Sequence, residues 1–557
     1  MSPPAPRIRF PLSVAIAMIA FLVIFRLAIG AGFGLRGSAK HPDLLPTGFV
    51  GDLRDNYTYA SWAQQAKAGA WLFHDAHTTD PHRAIYFNPY YLLVGRLAGR
   101  LDIQPFVIIN VLGLLGAGAT VFIVFYIALG AGLNESAARW ACVLVGFAMG
   151  LSVPAAAVYK LLGIDPMADT QRLGADIWYH DAFGFNCFMT LPYQSLGWAL
   201  MSLVILAAVT CLRDAPATRR FRTRLALLAL AAAALASVRP YEPVILLSSY
   251  GLFAAASLLM PSTRDRWRRI VIVGMVLGAA AAPFVIYQAW VSQQPVWRDF
   301  AALAAVSYRS RLSWLIGYGL LLPLAIYGAA LVMRGTHLFP ARWFVGWMAL
   351  LVLLLIVIEV RQTKFSSAGT IPMCILAARG WTALIARVCA IERPAKRRLA
   401  AACLFAVGAS FFITTPAFAV MLGKHFDPQR SGYSRHLLAA AQKAIELTPA
   451  RPPAILCDDA LGNVLTGIAP VRVFLGHSAM TPDFSARAER LAAAGFYDGN
   501  GSSEVFDSVL RDVSVSFVLV IADRAAHQYA LSHPSLELIG RFGQYVLFQF
   551  NPRKRRD

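Results

Sequence analysis

Residues 51–77 read GDLRDNYTYASWAQQAKAGAWLFHDAH, the densest polar cluster in a very apolar chain. Asp52 and Asp55 stand three apart, aromatics follow, and His74, Asp75 and His77 close the stretch. A carboxylate can take the proton of a reacting hydroxyl as a general base. The competing reading of such a pair in a loop is ordinary solvated polarity. His74, Asp75, His77, Asp80 and His82 are ligand types that suit zinc or manganese. Their spacing matches no metal-binding template, so a structural or solvated role is preferred. A divalent cation (Mg or Mn) assisting Asp52 or Asp55 stays open, and no cofactor is certain.

Other polar groups sit beside apolar runs. In DIWYHDAFGFNCFMTLPYQS (176–195), Trp178, Tyr179 and Phe183 could stack on sugar rings while His180 and Asp181 bind hydroxyls. An interfacial aromatic belt is the alternative. Arg239 and Glu242, in SVRPYEPV, lie where two apolar runs meet. Ionisable groups at membrane depth are costly and tend to be functional or paired. Arg239 therefore either pairs locally with Glu242 or meets an anionic lipid headgroup. In EVRQTKFSSAG, Arg361 and Lys364 fall on the outer side, against the positive-inside tendency. They point to an anionic ligand such as a lipid phosphate, with Glu359 as the neutralising alternative. Arg309 and Arg311 make the same case more weakly.

The elements that position these groups follow from hydropathy. With 57% hydrophobic and 15% charged residues among 557, the chain is excluded from the ordinary soluble enzymes. Apolar runs of roughly 17–25 residues are long enough to span a bilayer. Eleven are expected, near 10–30, 106–129, 139–159, 191–212, 225–238, 243–260, 270–290, 313–333, 343–360, 370–388 and 399–422. The fifth is too short to cross alone and is expected to form a broken pair with the sixth around RPYEP. The net charge of +21 reflects arginine-rich loops, such as 213–224 and 261–269, that set topology. It does not call for nucleic acid. Placing those loops inside puts residues 31–105 and everything after about 423 outside. Residues 10–30 read as a retained first helix, with no convincing cleavage site after them. None of the seven cysteines has zinc or CxxC spacing; Cys187 and Cys457 fall in outer segments, and nothing pairs them.

Two domains are expected: a transmembrane domain over 1–422 and a small α/β domain over 423–557. In the latter, strand-like AILC, VRVFLG, SFVLVIA, LELIG and YVLFQF alternate with helix-like FSARAERLAAAGFY and SSEVFDSVLRDV. No GxGxxG follows its first strand, so no nucleotide is assigned. In the 31–105 loop, YTYASWAQQAKAGAWLF is expected to lie as an amphipathic helix with Tyr59, Trp62, Ala66 and Trp71 toward lipid or protein. A second such helix starts at Asn88–Pro89.

The order of motifs resembles the GT-C superfamily of membrane glycosyltransferases, and its bacterial members more closely. The acid–x3–Tyr start (Asp55, Tyr59), NPYYLLVGRLAG, GYGLLLPLA at 317–325, RQTKFSSAGTIPM and LGNVLTGIAPVRVFLGH carry the likeness. Where some relatives have His-Pro-Tyr-acid this chain has RPYE, and Thr370 replaces a His before Ile-Pro. The resemblance implies inverting transfer of a sugar from a polyprenyl-phosphate donor to a glycan, lipid or protein acceptor, at the periplasmic face of a bacterial inner membrane. It implies Asp55 as base, with Asp52 as helper or alternative base. Arg239, Arg361 and Lys364 would grip the donor phosphate, and Tyr59, His180, Asp181 and Glu242 would line the substrate. A lipid-linked-sugar flippase or transporter, and a ligase moving a whole glycan from its carrier, are the alternatives.

Overall fold

A computed structural model describes residues 9–33, 42–165, 174–179, 182–215, 218–298, 310–358, 363–424, 431–497 and 501–551. The chain forms two compact units. One holds Met1–Phe25, Leu112–Gln288 and Ala305–His425; the other holds Arg26–Val111, Ala289–Ala304 and Phe426–Asp557.

The first unit is a bundle of apolar helices, as expected of a multi-pass membrane protein. Among the described residues nine helices are long and apolar enough to cross a membrane, and up to eleven if each of two bent pairs is one span. These coincide with the eleven apolar runs. Buried Trp198, Trp314, Trp343 and Trp347 fill the bundle core. The helix does end at Arg239–Pro240 within RPYEP, but the break separates two full spans and not the halves of a broken one. Arg219–Val238 is a full-length helix, followed after Arg239–Pro240 by Tyr241–Leu259. Apolar counting started at 225, but arginine is a good helix former. The Thr218 hydroxyl caps the helix by accepting the Phe221 N–H at 3.1 Å, so it runs through the whole arginine cluster.

The bends fall elsewhere. Glu135–Phe147 and Ser152–Leu161 meet at 54°, and Arg311–Tyr318 and Leu321–Arg334 at 73°. Backbone freed from a helix inside a membrane must find partners in the protein. Here the two breaks satisfy one another: the Leu151 N–H donates to the Ile316 carbonyl at 2.9 Å. The Gly150 N–H donates to the buried Asp176 carboxylate at 2.9 Å, and the Gly150 carbonyl accepts the Thr414 hydroxyl at 2.7 Å. A Cβ on Gly150 would lie 2.0 Å from the Gly317 carbonyl, so this approach requires glycine.

In the second unit, β1 (Leu44–Pro46) pairs antiparallel with β2 (Gly432–Ser434). A five-stranded mixed sheet contains β3 (Ala454–Leu456), β4 (Arg472–Val473), β5 (Phe517–Ile521), β6 (Leu536–Phe542) and β7 (Tyr545–Phe550), ordered β4-β3-β5-β7-β6. β3 runs parallel to β4 and β5, while β7 is antiparallel to β5 and β6. All five strand-like runs thus enter one sheet. Leu456, Val518, Val520, Val546 and Phe548 pack from it against Phe506, Val509 and Leu510 of the Ser503–Asp512 helix. Two helices from the first loop, Leu53–Lys67 and Pro89–Leu101, belong to the same unit. Asn88 caps the second as expected, its side chain accepting the Tyr90 N–H with Pro89 in the first turn. A Cβ on Gly95 would lie 2.4 Å from the Ala63 carbonyl, which sets how closely the two helices cross. The Leu53–Lys67 helix packs one side into this unit, toward protein. Trp62 and Ala66 are buried, and Trp71 is exposed with Arg96 stacked over its ring.

Candidate active site

The Leu53–Lys67 helix carries both acids at its start. Asp52 is the N-cap residue, at φ 45° in the left-handed region that aspartate tolerates. Its side chain makes no capping bond. Asp55 lies in the first turn, where the helix dipole favours a negative charge. The acid–x3–Tyr spacing places Tyr59 one turn later on the same face, and its hydroxyl donates to Asp55 Oδ2 at 3.3 Å. Asp55 Oδ1 lies 3.0 Å from Nε2 of His477, a residue 422 positions away. The Asp55 side chain is 38% exposed and that of His477 only 9%. The carboxylate therefore faces solvent while its partner is embedded in the protein.

Hydrogen bonds from groups that can only donate assign the imidazole protons. The Ala479 N–H donates to His477 Nδ1 at 3.0 Å. The proton of neutral His477 is therefore on Nε2, and His477 donates to Asp55. The His477 N–H in turn donates to His77 Nδ1 at 3.1 Å. The proton of His77 then sits on Nε2, facing Thr58 Oγ1 at 3.2 Å. Burial, with His477 second, keeps His77 neutral by holding its pKa well below the usual value.

The 74–82 segment is built inward. The Asp75 N–H donates to His82 Nε2 at 3.0 Å, and His82 Nδ1 donates to the Asp80 carbonyl at 2.8 Å. Asp75 Oδ1 accepts the His77 N–H at 2.8 Å, while Oδ2 is buried with no hydrogen-bond partner among the described residues. Burial pushes the Asp75 carboxyl up to about 7. Burial and the neighbouring His82 lower His74 to about 4. Arg487 pairs with Asp80 at 2.5 Å, and Arg472 donates to the Thr78 and Asp80 carbonyls at 3.2 and 2.7 Å. Asp75, His77 and His82 thus bind backbone, with two arginines anchoring the segment.

In the first unit, Arg239 Nε donates to Glu242 Oε1 at 2.6 Å, and both residues are buried. The Ser367 hydroxyl donates to the same oxygen at 3.0 Å. This is the local pair that the sequence offers as the structural alternative. Lys364 is half-buried on the Thr363–Ser366 turn. Trp178 and Tyr179 pack with buried Trp314, and the Trp178 indole donates to Ser313 Oγ at 2.8 Å. His180, Asp181, Arg309 and Arg361 lie outside the described residues. Cys187 and Cys457 are buried free thiols.

The architecture matches solved structures. The Archaeoglobus fulgidus oligosaccharyltransferase tethered to an acceptor peptide superposes with TM-score 0.54 at 11% identity, covering 91% of this chain and 69% of that one. The AglB oligosaccharyltransferase of the same organism, in complex with an inhibitory peptide and a dolichol-phosphate, also gives 0.54 at 11% identity, with 95% and 74% covered. The mycobacterial arabinofuranosyltransferase AftD gives 0.53 at 14% identity, covering 96% of this chain but 41% of that one. The chain has the GT-C fold. No protein-family model matches it, and no curated protein matches it in sequence.

On this GT-C scaffold Asp55 and His477 are both metal-ligand types. Yet the His477 N–H that would have to leave for a metal is donated to Asp55, and its other ring nitrogen is taken by the Ala479 N–H. Among the described residues no three His, Cys, Asp or Glu side chains come together to hold an ion. Sequence reasoning missed His477, although it closes the motif LGNVLTGIAPVRVFLGH. A histidine closing the apolar run VRVFLGH was the available signal, but its partner is unreadable along the chain.

Proposed function

We propose that the chain is an inverting glycosyltransferase moving a sugar from a polyprenyl-phosphate donor to an acceptor hydroxyl, at the periplasmic face of a bacterial inner membrane. The observation that carries this reading is Asp55, a half-exposed carboxylate held from both sides by His477 and Tyr59 on a GT-C fold. In the reaction Asp55 accepts the acceptor hydroxyl's proton as the acceptor oxygen bonds to the anomeric carbon. The bond from that carbon to the carrier phosphate oxygen breaks, and its electron pair leaves with the polyprenyl phosphate. The His477 N–H and the Tyr59 O–H orient the carboxylate toward the acceptor. General-base assistance of this kind contributes typically ~10²–10⁴-fold.

Lys364 and Arg361 are proposed to neutralise the carrier phosphate, and His180 and Asp181 to meet the sugar. The buried pairing of Arg239 with Glu242 supports a structural contribution from those two. A ligase moving a preassembled glycan is a second reading, favoured by the match to oligosaccharyltransferases. The test is Asp55→Asn in the full-length protein, supplied with labelled polyprenyl-phosphate hexoses and pentoses and, separately, with lipid-linked oligosaccharide. Loss of transfer with donor binding retained is the expected result, and the donor consumed separates transferase from ligase. Undiminished product from Asp55→Asn removes the proposed base.

A further inference from the structure

We infer that His77 is a positioning residue for this site, fixing His477 and through it the Asp55 carboxylate. The inference rests on the transferase reading above and deepens it. His77 is fully buried, so its role is internal. Its ring nitrogens and carbonyl together tie the helix bearing Asp55 to the loop bearing His477. Nδ1 accepts the backbone N–H of His477 at 3.1 Å. Nε2 donates to Thr58 Oγ1 at 3.2 Å, and Thr58 lies three residues beyond Asp55, one turn along the same helix face. The His77 carbonyl accepts the Thr481 hydroxyl at 2.8 Å, and Thr481 Oγ1 accepts the Gly476 N–H at 3.1 Å. The loop is thus gripped before and after His477.

Two details show that the approach is built closely. A Cβ on Gly476 would lie 2.5 Å from His77 Nδ1, a contact no side chain other than glycine's hydrogen allows. Asp75 Oδ1 accepts the His77 N–H at 2.8 Å, setting the ring's own backbone. The Ala479 N–H then fixes the His477 ring relative to its loop, so placing the loop places the donor on Asp55. A base displaced by about 1 Å loses about 10²-fold in rate. Because His77 reaches no solvent, the loss belongs in kcat rather than in donor KM.

The experiment compares His77→Ala, His77→Asn and His77→Gln with wild type and Asp55→Asn, as full-length protein at matched folded concentration. The substrate is the labelled polyprenyl-phosphate sugar that wild type consumes. Asparagine places a carbonyl near the former Nδ1 and can still accept the His477 N–H. Glutamine reaches only toward the Nε2 position. The expected order is a kcat loss of about 10²-fold for Ala and Gln, a loss of only a few-fold for Asn, and unchanged KM throughout. Should His77→Ala not fold, the contrast of Asn with Gln decides. Wild-type kcat in Ala or Gln, or equal kcat in Asn and Gln, overturns the inference while inactive Asp55→Asn leaves the transferase reading standing. No turnover by wild type, or full turnover by Asp55→Asn, overturns both.

Discussion

Replacing Asp75 by asparagine should make the protein more stable at alkaline pH and not at acid pH. In the fold this carboxyl is fully buried, with one oxygen accepting the His77 N–H and the other without a hydrogen-bond partner among the described residues. Desolvation raises its pKa from 3.8 to about 7, outweighing the opposing pull of the His77 N–H, Arg472 and Arg487. The folded chain therefore binds the proton more tightly than the unfolded chain. Stability falls as pH rises between those two values, because the unfolded state has the lower proton occupancy there. One pKa unit corresponds to about 1.4 kcal/mol. Between pH 5 and pH 8 the unfolded carboxyl is already ionised while the buried one passes through its own pKa. Wild type should thus lose about 3 kcal/mol that an asparagine variant keeps. Asparagine retains the acceptor for His77 and removes the charge. The histidines are common to both proteins, so their contribution cancels in the difference. Thermal melting of both purified proteins across pH 5–8 measures it. A gap of several degrees that opens progressively from pH 5 and levels off above about pH 7 is expected. A gap independent of pH, or a less stable variant at pH 8, refutes the reasoning.

Gly476→Ala should reduce kcat at least as much as His77→Ala, about 10²-fold, because the new Cβ meets the His77 ring and displaces the His477 loop; kinetics on folded variant checks this. Glu242→Gln should destabilise the protein by about 3–5 kcal/mol by leaving Arg239 buried without its counter-charge, seen as a lowered melting temperature. The double change Arg239→Met with Glu242→Leu should recover most of that stability. If the double variant also keeps donor KM, Arg239 is a structural group, and a large rise in KM instead places it at the donor phosphate.

Much of the scaffold was legible because its causes are local. A span is an uninterrupted run of apolar residues, and all eleven coincide with helices or bent helix pairs. The Asn88–Pro89 helix start is a capping preference expressed over three residues. The five strands were visible as short β-branched and aromatic runs between turn residues. The Asp55–Tyr59 contact follows from one helical turn. The bend positions were not legible. Gly150 and Gly317 look like ordinary helix glycines until their segments meet, 167 positions apart by numbering, and close packing forbids a Cβ.

What the sequence by itself determined is the set of apolar helices, the strands and the acid that heads the first loop, since hydropathy and periodicity are summed over neighbours. Only the tertiary structure decided which groups touch that acid. Neutral histidines 400 positions apart share one hydrogen bond, and their proton positions follow from backbone N–H groups brought there by folding. The cluster His74–His82 carries metal-ligand residue types in both descriptions. Burial and backbone bonding turn it into a clamp, and burial depends on what the rest of the chain places around it.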